Sequence, residues 1–227
     1  MRMGVSSISV GNADGGLVPV ELWAKSTGVV GLYHLRQKLV SWIDPVTGLP
    51  GNSVIQGEEG SYRHTDTTKV DRATGQATVH EVGKHDNTYQ VEVPKDALDF
   101  VALVFRLRTL PLEPGTKHEF QVLSGRKVNK IVAEAMGRET LDTRIGKLPA
   151  IRVRIPTGFS GKFSEKNPTE VWFSDDARRV ILRITTDFAV GHASANITEY
   201  RPGVAPAPDP AGGEAGATTT ESGGTGG

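Results

Sequence analysis

From Met3 onward the chain alternates apolar and polar side chains with a period of two, the spacing that turns one face of a β-strand to a core and the other to water. A first strand over about residues 3–10 meets the turn GNADGG. VPVELWA continues with Val18, Val20, Leu22 and Ala24 on one face, and TGVVGLYHL is a short apolar piece with room for one or two helical turns. QKLVSWID reads as a strand, and DPVTGLPG closes it through its Pro and Gly content. Val54 to Asp71 is long and polar, TGQ marks a hairpin, and TYQVEV ends the first half. The second half continues with KHEFQVL, the turn SGRK, NKIVAEAM, a break near TRIGKLPA, and IRVRIP. After the loop TGFSGKFSEKNP come EVWF, the turn SDDARR, VILRITTDF, the turn AVGHA, and SANITEY. The pattern predicts about ten strands.

One segment breaks the period. PKDALDFVALVFRLRTL carries Leu98, Phe100, Val101, Leu103, Val104, Phe105 and Leu107, which cover nearly every face of a helix. Pro94 precedes it, Asp96 is placed to N-cap it, and Asp99 three residues on completes a capping-box-like pair. Pro111 and Pro114-Gly115 end it. A helix apolar all round is a buried helix, so the expected fold is mainly β. A strongly curved antiparallel sheet or incomplete barrel packs around the Asp96–Leu107 helix. That domain spans residues 1–202, and residues 203–227 form a disordered tail. Pro, Gly, Ala, Thr and Ser there bury too little surface to offset the entropy of ordering.

Composition narrows the functional classes. Lys+Arg 26 and Asp+Glu 26 cancel, so nothing in the net charge argues for nucleic acid. With Cys at 0, disulfides, thiolate chemistry and Cys-based zinc sites are excluded. No stretch approaches the roughly 18 uncharged apolar residues of a membrane helix; ALDFVALVF is too short and carries Asp99. The N-terminus starts at once on a strand pattern with no leader sequence, so the expectation is a cytoplasmic protein or a chain whose leader is missing.

Asp175-Asp176 followed by Arg178-Arg179 invites a catalytic reading. Adjacent strand residues point to opposite faces, whereas in a turn Asp side chains cap nearby N–H groups, so the pair is expected exposed at a tight hairpin. Trp172 and Leu182 should then sit on paired neighbouring strands. His80-Glu81 and His85-Asp86 flank Gly83-Lys84, a β-turn signature without the helical spacing of a metal site. His34, His64, His118 and His192 stand singly. Gly158-Phe159-Ser160-Gly161 only grazes a nucleophile elbow and lacks the strand-then-helix context. No phosphate-cradling glycine motif occurs, and Asn196-Ile197-Thr198 reads as strand although it matches a glycosylation sequon. No catalytic residue, metal site or cofactor is expected. What remains is apolar: Trp23, Trp42, Leu98, Val101, Phe105 and Trp172 either fill an ordinary core or line a cleft for an acyl chain or other apolar ligand.

Several blocks together resemble the DUF3108 family over nearly all of Met3 to Arg201. They are GVVGLYHLRQKLVSWIDPVTGLP, the helix ending FRLRTLPLEPG, the strand pair EFQVLSGRKVNKIV, and WFSDDARRVILRITTDFAVGHASANITEY. The resemblance implies an exported, periplasmic or outer-membrane-associated protein of bacteria and carries no catalytic residues with it. The leading expectation is a non-enzymatic envelope protein that binds or carries a lipid-like ligand. The alternative is a structural or interaction module with an envelope protein as partner. A hydrolase ranks last, because no acid, base and nucleophile converge.

Overall fold

The computed structural model describes residues 4–26, 35–156, 168–188 and 191–203. The apolar piece at 27–34, the Gly-Ser loop at 157–167 and the expected tail from 204 onward lie outside the described residues.

Among the described residues the strands form two antiparallel sheets rather than one. The first is a meander in chain order: β1 (Gly4–Val10), β2 (Val18–Ser26), β3 (Leu35–Ile43), β4 (Pro50–Glu59), β5 (Tyr62–Asp71), β6 (Gln76–Val82) and β7 (Asp86–Glu92). The second runs from β8 (Lys117–Ser124) through β9 (Lys127–Thr143), β10 (Gly146–Ile155), β11 (Thr169–Ser174) and β12 (Ile181–Phe188) to β13 (Gly191–Asn196). The helix α1 (Phe100–Leu107) joins them. Thirteen strands among the described residues replace the expected ten or so. The difference arises where apolar marks are sparse: the polar stretch from Val54 to Asp71 holds the end of β4 and all of β5.

Alternation works as expected where one face is apolar. Val20 and Leu22 of β2 pair with Ser41 and Leu39 of β3, and all four are buried. On β11, Val171 and Phe173 have no accessible surface and join the main core. That core draws on both sheets and the helix: Leu22 and Ile43 from the first sheet, Leu103 and Leu107 from α1, Ile131, Val153 and Phe173 from the second. Burying a side chain such as Leu103 contributes roughly 1.5–3 kcal/mol.

The helix starts later than expected, and its cap is Asp99 rather than Asp96. Pro94 to Ala97 turns back on itself, with Ala97 N–H donating to Pro94 O at 3.1 Å. Leu98 is then drawn into the second sheet: its N–H donates to Gln121 O and its carbonyl accepts from Leu123 N–H, both at 2.8 Å. Only after that can helix begin, and the Asp99 carboxylate accepts from Ala102 N–H at 2.8 Å. Tertiary pairing outweighs the capping-box signal. Six of the helix's eight residues are buried; Phe105 is half-buried and Arg106 exposed. Arg108, just past the end, donates to the carbonyls of Arg178 and Arg179 at 3.0 Å and ties α1 to the β11–β12 turn.

Candidate functional site

The first sheet does not close fully on the helix. Between β3–β6, the entry to α1 and the β8–β9 hairpin lies a cavity of about 1180 Å³. Its helix side is apolar, formed by Leu98, Phe100 and Val101 with Val122 and Ile131 from the second sheet. Leu39 and Ile55, paired across β3 and β4, continue that surface. Ala97 and Val93 close one end. Exposed Lys84 and His85 in the β6–β7 turn, Arg126 in the β8–β9 turn and Lys127 at the start of β9 border the opening.

The opposite wall is polar because β5 is polar on its inward face. Tyr62, His64, Asp66 and Thr68 occur at every second position and all line the cavity. Two glycines make room for the stacked Tyr62 and His64 rings. A side chain on Gly57, its partner across β4–β5, would collide with the imidazole, and one on Gly83 would meet the Tyr62 hydroxyl at 3.0 Å. Tyr62 stacks on His64 with ring centroids 5.4 Å apart, and Nδ1 of His64 is buried without a hydrogen-bond partner. Asp66 sits directly opposite Glu81 across β5–β6. Burial pushes the Asp66 carboxyl above the usual carboxylate range; His64 draws it down and Glu81 pushes it further up. Glu81 faces Arg126 at 3.8 Å, and Arg126 also lies 4.4 Å from the Tyr89 ring centre.

At the apolar end Asp99 is enclosed. Ser41 donates to its Oδ2 at 2.6 Å, yet burial outweighs these hydrogen bonds and pushes its carboxyl above the ordinary value. Nearby, Arg72 donates to the carbonyls of Pro50 at 2.7 Å, Ala97 at 2.8 Å and Lys95 at 3.2 Å, pinning the β5–β6 turn to the helix entry.

The expected lining residues divide. Leu98 and Val101 line the large cavity. Trp23 lines a second, charged groove of about 560 Å³ with Arg36, Lys38, Glu58 and Arg63, and that groove shares His64 with the first. Trp42, half-buried between the inward-facing Ser41 and Ile43, lines neither space. Phe105 packs on the main core under the Arg108 guanidinium, 4.9 Å from its ring centre. Trp172 belongs to a separate cluster with Leu141, Ala150, Val180 and Leu182, and its indole N–H donates to Glu139 at 2.7 Å. The polar wall of His64, Asp66 and Glu81 goes undetected in the sequence. Its one trace is the every-second-position run on β5, and the intervening Arg63, Thr65 and Thr67 are equally polar, so no face stands out.

Asp175 and Asp176 do lie at a hairpin turn, though half-buried rather than exposed. They turn to different partners: Asp175 accepts from Arg138 at 2.9 Å and Arg179 at 3.2 Å, while Asp176 accepts from Ser174 at 2.8 Å and from Arg178. Those guanidinium contacts are what sink them partway. Arg178 holds the Asp176 carboxyl below the usual range, and Arg138, gripped by Glu113 and Asp175, is pushed above the usual arginine range. Trp172 and Leu182 stand on the neighbouring strands β11 and β12, which slip register between Trp172 and Phe173. His80 meets Asp86 at 2.7 Å across the β6–β7 hairpin. Among the described residues, no group of three or more His, Cys, Asp or Glu is placed to hold a metal, and no helix is long and apolar enough to cross a membrane.

A family model described as a protein of unknown function, DUF3108, matches residues 1–198. Among solved structures the chain is similar to the crystal structure of a beta-barrel-like protein of the domain of unknown function DUF1849 from Brucella abortus. The TM-score is 0.52 at 7% identity, covering 83% of each chain, a likeness of fold alone. No curated protein matches the sequence.

Proposed function

The chain belongs to the DUF3108 family, and from that premise we propose that it is a non-enzymatic binding module of the bacterial envelope, holding a lipid-like ligand between its sheets. The observation that carries this reading is the cavity of about 1180 Å³ with an apolar wall built by α1 and the second sheet. Ordinary small-molecule sites run to about 300–1,000 Å³, so there is room for a long chain. A packed interior leaves few voids larger than a water molecule, and an unfilled apolar wall forfeits contacts that a ligand would restore. The envelope location rests on the export signals usual among the proteins this sequence resembles. The non-enzymatic reading draws support from Asp175, Asp176 and His80, whose partners are structural.

The uncharged fluorophore N-phenyl-1-naphthylamine tests the cavity directly. Titration is expected to saturate at one site, and native mass spectrometry of gently purified protein to show a bound lipid. Ile55→Trp, which fills space beside the helix, should weaken binding about tenfold, a loss of about 1.4 kcal/mol. Absence of both the saturable signal and the bound mass would sink the proposal.

A further inference from the structure

The cavity's two walls differ enough to orient an occupant. We infer that it seats an amphipathic molecule with its chain against α1 and a cationic, hydrogen-bond-donating end against Asp66 and Glu81, an inference that rests on the binding reading above.

The polar wall is short of donors. The Asp66 carboxylate has no hydrogen bond or salt bridge to any described residue, and the charge directly across the strand pair is a second carboxylate, Glu81. Like charges directly opposite on a sheet face destabilise it. An ammonium carries three N–H donors and one positive charge, which suit the two facing carboxylates. The apolar surface of Leu98, Val101 and Ile131 across the cavity then receives the chain.

The cations at the opening do not reverse this polarity. Arg126 is engaged by Glu81 and by the Tyr89 ring, and Lys84 and Lys127 are exposed, where water and salt screen them. The carboxylate of Asp66 is half-buried and screened less. An anionic head would therefore have to stay at the rim, away from the acidic wall.

Displacement of N-phenyl-1-naphthylamine by dodecylammonium and by dodecanoate, below their micellar concentrations, compares two heads on one chain. Dodecylammonium is expected to displace the probe at about tenfold lower concentration. Asp66→Asn alone should shrink that ratio, and Asp66→Asn with Glu81→Gln should bring it close to one. Arg126→Gln frees Glu81 and should widen the preference. Equal or tighter binding of dodecanoate, a preference that survives the double substitution, or a narrowing in Arg126→Gln would each overturn the orientation and leave the cavity a binding site. Failure of the neutral probe itself would instead remove the binding reading and the orientation with it.

Discussion

Asp99 carries three roles that pull its charge in different directions. As N-cap of α1 it accepts from Ala102 N–H, and it also accepts from the Ser41 hydroxyl; both favour the carboxylate. Burial favours the acid and wins, so the folded pKa lies above the unfolded one. In the window between those two values the folded state binds more protons than the unfolded chain, so this group's contribution falls as pH rises through it. Asn caps a helix about as well as Asp without a charge to desolvate. The stability of Asp99→Asn relative to the natural protein is therefore expected to improve as pH rises above the ordinary Asp value of about 4. Urea unfolding at several pH values measures it; a difference independent of pH would show that Asp99 does not titrate on folding.

At the scale of elements, α1 is held by its neighbours more than by its own ends. Leu98 pairs with β8 before the first helical turn, and Arg108 reaches the β11–β12 turn after the last. Leu103, without accessible surface, faces the common core, whereas Phe105 is half-buried under Arg108. Leu103→Ala should then cost about 2–5 kcal/mol in chemical denaturation, with the residual void setting where in that range it falls. A loss below about 1 kcal/mol would mean the neighbours collapse into the space and the core there is loose. The Asp175-Asp176 turn follows the same logic: Glu113, Arg138, Asp175 and Arg179 form a chain of ion pairs that joins distant segments.

Across the whole molecule, the two sheets are separate ladders but share one main core, with Leu22 and Ile43 on one side and Ile131 and Phe173 on the other. Shared burial predicts a single cooperative transition. Trp172→Phe leaves indole fluorescence only on the first sheet, from Trp23 and Trp42, while far-ultraviolet dichroism reports both sheets. The two curves are expected to coincide, and distinct midpoints would show that the sheets unfold independently. The sequence by itself determined the period-two strands wherever one face is apolar, the buried helix between two β halves, the SDDARR turn and the family blocks. These depend on neighbours in the chain: strand alternation, helical periodicity and turn chemistry are local. Only the tertiary structure decided that there are two sheets, that Leu98 is drawn into pairing and delays the helix, and that Trp42, Phe105 and Trp172 pack away from the cavity. It also decided that His64, Asp66 and Glu81 meet on one wall. On β5 both faces are polar, so alternation marks neither as inward; the approach of β8–β9 and α1 gives one of them an interior to face.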